Sequence, residues 1–320
     1  MALRTKLTDI LGIRHPVLLA PMGGASGGAL AAAVTAAGGL GIIGGGYGDA
    51  AWIEREFAAA GNHRVGCGFI TFSLAKQPAL LDRVLERAPP VVMLSFGAAA
   101  PFIPRIKKAG ALAICQVQNL AQARAVLAEG ADIIVAQGSE AGGHGATRAT
   151  LPFVPAVVDA VAASGRAVPV VAAGGIIDGR GLAAALMLGA DGVLMGTRFY
   201  AAAESLAHPN AKARVVAGSG DDTLRTTIFD LARGIDWPSG YTGRALANGF
   251  TRQWHGNEAA LVERGGERAT YAAAAAAGDF DTAVVFTGEG IDLIGAVEPA
   301  AVIVERLVSD AERALARRFA

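Results

Sequence analysis

The first 200 residues contain short apolar runs that end in glycine, proline or polar residues. The runs are continuous and lack the alternation of a strand with one face in water, a pattern typical of parallel strands buried on both faces. We predict eight strands, at residues 15–20, 40–43, 65–71, 91–95, 111–117, 132–136, 169–173 and 191–195.

Helix signals separate most of these strands. Asp49, Asn119 and Asp178 each stand where an N-cap is expected. We predict helices at residues 27–37, 49–60, 78–87, 119–129 and 178–189, and one that ends near Gly110. The alternation indicates an α/β fold with an all-parallel sheet, most simply a closed (β/α)8 barrel of the TIM type. Such barrels bind ligands at the carboxyl ends of their strands.

The alternation of predicted strands and helices stops after Tyr200. Residues 201–288 bring in Trp237, Tyr241 and Trp254 among many polar residues, without regular alternation of strand and helix. We interpret them as an inserted, mostly helical segment that follows the eighth strand and caps the barrel mouth. Residues 289–320 return to a helical pattern, so the barrel is predicted to comprise 1–200 and 289–320, with 201–288 as a capping and substrate segment.

Composition narrows the class of protein. The 28 basic and 28 acidic side chains balance, which makes a nucleic-acid partner a poor hypothesis. Mean hydropathy is high at +0.41, and residues 16–48 carry no charge, yet glycines divide that stretch too often for a membrane span. Cys67 and Cys115 lie in apolar runs without CxxC spacing and are expected to be reduced core residues. We therefore expect a cytoplasmic protein with no membrane contact.

The stretch 137–145 is the first candidate for chemistry. It follows the sixth predicted strand and places His144 among four glycines. Glycines let a loop approach a ligand closely, and histidine is the one side chain here that changes charge near neutral pH. A histidine in such a loop can equally be a hydrogen-bonded structural residue, and the local sequence leaves both interpretations open.

Two glycine-containing turns follow the seventh and eighth predicted strands. They comprise Ala173, Gly174 and Gly175 in one case, and Gly196 and Thr197 in the other. Barrels commonly bind phosphate at this point through backbone N–H groups. The alternative is that both are simply tight loops between strand and helix.

Two glutamines, Gln116 and Gln137, end otherwise apolar strands. A buried amide needs partners, which here are either the polar edge of a heteroaromatic ring or loop backbone. The five histidines are scattered without metal-ligand spacing, so no metal site is predicted. No nucleophilic serine elbow is present either.

As an ordered set, these motifs resemble the nitronate monooxygenases, formerly 2-nitropropane dioxygenases. That family also includes FMN-dependent enoyl-acyl-carrier-protein reductases and quinone reductases. The resemblance spans the barrel to about residue 200 and rests on residues 21–24, Gln116, 137–144, 173–176 and 196–199. It implies an FMN cofactor at the barrel mouth.

Carried over to this chain, the resemblance assigns roles to individual residues. Pro21, Met22 and Gly23 would lie along the isoalloxazine, and Thr71, Gln116 and Gln137 would reach its polar edge. At the end of the third predicted strand, many relatives carry asparagine where this chain has Thr71. The remaining contacts would be Gly142 and Gly143 beside the ring, and Ala173, Gly174, Gly175, Gly196 and Thr197 at the phosphate.

The resemblance also makes His144 the candidate catalytic base for the α-proton of a nitroalkane. The leading hypothesis is an FMN-dependent nitronate monooxygenase whose small-molecule substrates are a nitronate or nitroalkane and O2. An NAD(P)H-dependent quinone or enoyl-thioester reductase is the nearest alternative. A sugar-phosphate isomerase that uses Glu140 and a flavin-binding protein without turnover are further alternatives. The alanine-rich helices leave room for a homodimer.

Overall fold

The computed structural model describes residues 3–264 and 266–317. The strands are β1 (Val17–Leu19), β2 (Ile42–Gly46), β3 (Gly66–Ile70), β4 (Val91–Ser95), β5 (Leu112–Val117), β6 (Ile133–Gln137), β7 (Gly143–Gly145), β8 (Val170–Ala173), β9 (Gly192–Met195), β10 (Thr223–Thr226) and β11 (Thr242–Leu246). The helices are α1 (Lys6–Leu11), α2 (Gly28–Ala36), α3 (Ala50–Ala59), α4 (Thr71–Leu74), α5 (Ala79–Leu85), α6 (Ile103–Lys108), α7 (Leu120–Glu129), α8 (Thr150–Ala163), α9 (Gly179–Met187), α10 (Thr197–Tyr200), α11 (Pro209–Ala217), α12 (Ile228–Arg233), α13 (Gly249–Trp254), α14 (Glu258–Glu263), α15 (Glu267–Ala277) and α16 (Ala300–Leu315).

Eight parallel strands form the barrel, in the order β1-β9-β8-β6-β5-β4-β3-β2. The barrel closes between β1 and the residues just before β2, where Leu18 and Leu40 form a parallel bridge. There the Leu19 N–H donates to the Leu40 carbonyl, and the Leu40 N–H donates to the Val17 carbonyl, both at 3.0 Å. The predicted (β/α)8 barrel is confirmed, and each of the eight predicted strands overlaps an observed one.

Apolar side chains fill the barrel and the layer around it. Leu18, Met93 and Val135 belong to the inner cluster, and Leu7 of α1 joins them at the amino-terminal end. Side chains on the opposite face of the strands pack against the helices in a larger cluster. Cys67 and Cys115 lie in that outer layer as free, buried thiols, and burial raises the pKa of each to about 12. Their predicted place in the core is confirmed.

Three predicted N-caps are present. The Asp49 carboxylate accepts from the Trp52 N–H, the Asn119 side chain from Gln122, and Asp178 from the first turn of α9. The elements that were not predicted include α8 and β7. Helix α8 fills the connection between β6 and β8, and β7 arises within the glycine-rich stretch that carries His144.

The segment after the eighth barrel strand is mostly helical, as predicted. Helices α11 to α15 share it with β10 and β11, and Phe229, Phe250, Trp254 and Tyr271 form a small core of its own. Strand β11 pairs with β10 on one side and with β7 on the other, so that Gly243 stands opposite His144. The segment and the loop after β6 therefore share one antiparallel sheet. That residues 201–288 form a unit separate from the barrel and contact the substrate stays a prediction.

No helix in the described ranges has both the length and the apolar composition needed to cross a membrane.

Candidate active site

A cavity of about 430 Å³ opens at the carboxyl ends of the barrel strands. Its walls come from the loops that follow the strands and from the segment 201–290. Of the fourteen residues predicted for the site, thirteen line this cavity: Pro21, Met22, Gly23, Gln116, Gln137, Gly142, Gly143, His144, Ala173, Gly174, Gly175, Gly196 and Thr197. The structure thus brings together motifs that lie up to 176 residues apart in sequence.

Thr71 is the exception. The chain turns into α4 at this residue, and the Thr71 side chain packs against Gly97, where an added Cβ would lie 3.0 Å from Thr71 Cβ. Its hydroxyl is buried without a hydrogen-bond partner in the described part of the chain. Phe69 and Ile70 line the cavity instead. The predicted contact of Thr71 with a ligand stays a prediction.

Glycines in β2 and β3 position the backbone of Pro21 and Met22 at the cavity. A Cβ on Gly44 would lie 2.4 Å from the Met22 carbonyl oxygen, and one on Gly68 would lie 2.4 Å from Pro21 Cγ. The Met22 N–H donates to Ser26 Oγ at 2.6 Å, which fixes the turn. Any side chain at either glycine would push this turn away from the barrel.

The turns after β8 and β9 form the opposite side of the cavity. Gly174 and Gly175 have φ of +106° and +71°, in the left-handed region that favours glycine. Beside them, the Thr197 hydroxyl accepts the Gly288 N–H at 3.0 Å. Thr197 therefore keeps its own hydroxyl hydrogen available for a ligand oxygen.

Glu140 has a structural role. Its carboxylate accepts the Thr150 N–H at the start of α8, at 2.9 Å, and the Thr150 hydroxyl at 2.8 Å. Glu140 is not part of the cavity wall, so the isomerase alternative loses the carboxylate it needs.

The predicted glutamines belong to a chain of amides. Gln137 Oε1 accepts from Gln116 Nε2 at 3.1 Å and from Gln118 Nε2 at 2.9 Å, while Gln137 Nε2 donates to the His144 carbonyl at 3.0 Å. Gln137 thus satisfies loop backbone, one of the two interpretations of the sequence. Gln116 lines the cavity, and no described residue donates to its Oε1.

His144 is held by a residue that the sequence analysis missed. Its Nε2 lies 2.8 Å from Asp230 Oδ2, and both side chains are less than a tenth exposed. The other oxygen of Asp230 pairs with Arg233 Nη2 at 2.6 Å. Because Asp230 accepts from Nε2–H, Nδ1 of a neutral imidazole carries the lone pair. No described residue is hydrogen-bonded to that Nδ1.

Burial lowers the pKa of His144, and the charges of Arg233 and Arg225 act in the same direction. The hydrogen bond and charge of Asp230 oppose this shift without reversing it. The imidazole is therefore neutral at pH 7 and has one nitrogen free to accept a proton.

Aromatic side chains enclose the imidazole. The Trp237 ring stacks on it at 3.5 Å between centroids, and Phe286 lies at 5.3 Å on a tilt. Trp237 also donates from Nε1 to the Tyr47 hydroxyl at 2.9 Å and packs edge-on against Phe96. Trp237 stood out in the sequence as a tryptophan in a polar segment, but nothing there indicated its partner.

Among residues 3–264 and 266–317, no group of three or more His, Cys, Asp or Glu side chains is arranged to hold a metal ion.

The fold and the cavity define a (β/α)8-barrel protein with a cavity at the carboxyl ends of its strands. The chain matches the nitronate monooxygenase family over residues 4–63 and 68–310. It belongs to that family, whose members are flavin-dependent oxidoreductases.

Individual relatives carry different names. A Neurospora crassa protein named nitronate monooxygenase is 32% identical, with 93% of this chain and 90% of that protein covered. A Mycobacterium tuberculosis protein named (3aS,4S,5R,7aS)-5-hydroxy-7a-methyl-1-oxo-octahydro-1H-indene-4-carboxyl-CoA dehydrogenase is 41% identical over 236 residues. That match covers 72% of this chain and 65% of the relative, slightly less than two thirds of its length. The solved structure of FabK from Thermotoga maritima has a TM-score of 0.84 at 33% identity and covers 97% of this chain and 96% of FabK.

Proposed function

We propose that this protein is an FMN-dependent nitronate monooxygenase, which oxidises alkyl nitronates and nitroalkanes with O2 to carbonyl compounds and nitrite. The observation that carries the proposal is the neutral, buried imidazole of His144, with Nε2 bound to Asp230 and Nδ1 unpaired in the cavity wall.

The cavity residues fit FMN. The backbone of residues 21–23 offers a flat surface for the isoalloxazine, and the free Gln116 Oε1 is an acceptor for its polar edge. The left-handed turn at Gly174 and Gly175 presents backbone N–H groups, and Thr197 presents a hydroxyl, as a phosphate requires. When bound, FMN supplies an electron acceptor that dioxygen can reoxidise.

The chemistry of the chain itself is proton abstraction. His144 Nδ1 takes the proton from the α-carbon of a nitroalkane, and the electron pair of the C–H bond passes into the nitro group to give the nitronate. Asp230 holds the tautomer and stabilises the imidazolium that forms. A nitronate supplied as substrate is already ionised, so its turnover does not require proton transfer to His144.

The similarity to the M. tuberculosis CoA dehydrogenase favours one second candidate, an FMN-dependent oxidoreductase that acts on acyl-CoA thioesters or uses NAD(P)H. In the reductive direction of such a reaction, His144 would have to donate a proton. Its lowered pKa disfavours the protonated form at pH 7, so the site is better suited to accepting a proton.

The test begins with the absorption spectrum of the purified protein, where we expect bound FMN. The protein is then mixed anaerobically with propionate 3-nitronate, 2-nitropropane, NADH or NADPH. Bleaching of the flavin by the nitro compounds supports the proposal. Protein that cannot take up FMN, or flavin that is bleached by reduced nicotinamide alone, would overturn it.

Two histidine variants test whether loss of activity is specific to the proposed base, His144, or follows from replacing any histidine. His144→Gln should retain FMN and lose most turnover of 2-nitropropane while keeping turnover of the nitronate. His63→Gln is the matched control, because His63 is exposed and away from the cavity wall. Equal activity of both variants with the nitroalkane would place the proton acceptor elsewhere.

A further inference from the structure

Arg233 is the one lysine or arginine among the described residues that line the cavity. It stands beside the proposed base, since the two oxygens of a single carboxylate, that of Asp230, hold His144 and Arg233. The Arg233 guanidinium also lies over the Phe286 ring, 5.3 Å from its centroid. A permanent positive charge is therefore fixed in the cavity wall next to the imidazole.

Arg233 has donors to spare. Its Nε donates to the Phe229 carbonyl at 3.1 Å, and Nη2 donates to Asp230. A guanidinium has five N–H donors, so these contacts leave others for a ligand. About a quarter of the side chain is exposed.

Tyr47 lines the same cavity, and its hydroxyl oxygen is a hydrogen-bond partner of the Arg233 guanidinium, which leaves two of the five Arg233 donors for a ligand. The Tyr47 oxygen also accepts the Trp237 Nε1–H at 2.9 Å, and no described residue accepts its own proton. Burial raises the pKa of Tyr47, and the Arg233 charge opposes this in part, so the hydroxyl stays protonated at neutral pH. Tyr47 and Arg233 thus both have unused donors and line the same cavity.

We propose that Arg233 and Tyr47 form a subsite for a small, planar oxyanion, which holds the oxygens of the nitronate and of the nitrite product. This subsite deepens the function proposed above and rests on it. A guanidinium matches two coplanar oxygens through paired N–H donors. The Tyr47 hydroxyl adds a third donor.

The summed charge of His144, Asp230 and Arg233 explains why Arg233 lies beside the proposed base. With a neutral imidazole, the trio of His144, Asp230 and Arg233 has a net charge of zero, which suits a neutral nitroalkane. Transfer of the α-proton to Nδ1 makes the trio +1 and the substrate −1. The subsite then holds the new negative charge beside the new positive one.

Arg233 could instead serve only to hold Asp230 in position. That role would change kcat and the pH profile through His144, but it would not affect the affinity for an inert anion. We therefore measure anion binding by isothermal titration calorimetry on the protein as purified, in a chloride-free buffer at pH 7.5. The probes are nitrite and acetate, with acetamide as the neutral counterpart of acetate.

We expect nitrite and acetate to bind and acetamide not to bind. Arg233→Met should weaken nitrite binding by at least about tenfold, and Tyr47→Phe by about threefold. Arg233→Lys keeps the charge without the paired donors and should fall between Arg233→Met and the unmodified protein. Arg252→Met is the matched control, because Arg252 is exposed on α13 outside the cavity wall. Circular dichroism shows whether each variant is folded.

The proposed subsite is wrong if nitrite does not bind or if acetamide binds as well as acetate. It is also wrong if folded Arg233→Met binds nitrite as tightly as the unmodified protein, or if Arg252→Met weakens nitrite binding to the same extent as Arg233→Met. Should Arg233→Met fail to fold, Tyr47→Phe and Arg233→Lys decide the question. Calorimetry does not depend on turnover. Nitrite binding without flavin reduction by nitronates would therefore refute the proposed function and keep the anion site, whereas flavin reduction without nitrite binding would do the reverse.

Discussion

The imidazole of His144 lies flat against the indole of Trp237, with ring planes only 6° apart. Asp230 fixes the edge of the same imidazole. One face and one nitrogen are therefore committed to the protein, and the ring can present only Nδ1 and its remaining surface to a ligand. The orientation of the proposed base thus depends on two residues that follow it in sequence by 86 and 93 positions.

Removal of the Trp237 ring should leave the His144 imidazole less firmly held in its orientation. We expect Trp237→Ala to lower kcat with 2-nitropropane by about fivefold, because an aromatic stacking contact contributes about 1 kcal/mol. Trp237→Phe should recover part of this loss. Trp254→Phe, in the core of the same segment, is the control for general loosening. Steady-state kinetics that show no difference between Trp237→Ala and this control would contradict the role of the stack.

The reaction with neutral nitroalkanes should depend on pH through His144. Burial lowers its pKa, so the neutral base predominates at neutral pH and is lost as the pH falls through the lowered pKa. We expect a level profile of kcat/KM from pH 7 to pH 8 with a decline on the acid side, measured with 2-nitropropane. A profile that declines in the same way with a preformed nitronate would assign the titration to another group.

Asp230→Asn should shift the pH at which kcat/KM declines on the acid side. The Asp230 carboxylate raises the pKa of His144, so its replacement by a neutral amide lowers the pKa further and shifts the decline to lower pH. Turnover should also fall by at least about tenfold, because an amide does not fix the tautomer of the imidazole. The pH profile of the variant checks both points, and a limb that moves to higher pH would exclude the assignment.

Gly288 should be intolerant of a side chain. An added Cβ would lie 2.5 Å from the Glu140 carbonyl oxygen and 3.0 Å from the Gly142 nitrogen, and neither backbone atom can move without displacing the cavity wall. We expect Gly288→Ala to retain FMN about tenfold more weakly, as measured by release of flavin on dilution. Gly295→Ala is the matched control, since a Cβ there meets nothing within 4 Å. Equal retention by both variants would argue against the close packing at Gly288.

Glu298 should matter for stability. Its carboxylate pairs with Arg198, which is almost fully buried next to Thr197, and with Arg306. Glu298→Ala leaves Arg198 without its charge partner and should lower the free energy of unfolding by about 3 kcal/mol in urea titrations. Glu305→Ala, at an exposed position of α16, the helix that carries Arg306, should change it by less than about 0.5 kcal/mol. Similar losses in the two variants would contradict a specific role of the pair.

The barrel could be predicted from sequence because each strand buries both faces and therefore forms an unbroken apolar run. The boundaries shifted where glycines enter a strand: the run at 40–43 corresponds to β2, which continues through Gly44 to Gly46. Helix α8 was missed because Pro155 lies inside it and interrupts the expected pattern. Strand β7 was missed because its three residues have strand structure only through pairing with β11.

The predicted site residues are those whose motifs follow a barrel strand, because the topology alone brings strand ends together. Asp230 and Arg233 have no such signal. Tyr47 follows β2 directly, but the predicted strand ended at residue 43, so the sequence analysis did not select it. In sequence, Asp230 is one acidic residue near the start of a short helix, and its role follows only from a contact with a residue 86 positions earlier. Thr71 also follows a strand, yet the chain turns into α4 at this residue and Thr71 does not line the cavity, so its predicted contact stays a prediction.

The antiparallel sheet that joins β7 to β11 has a mechanical consequence. His144 is the central residue of β7 and stands opposite Gly243 of β11, so the proposed base is tied by its backbone to the segment that covers the cavity. A rigid swing of that cover away from the barrel would pull the imidazole off the reacting carbon. If the cover opens and closes, closure of the chamber and assembly of the proton acceptor would therefore be a single event.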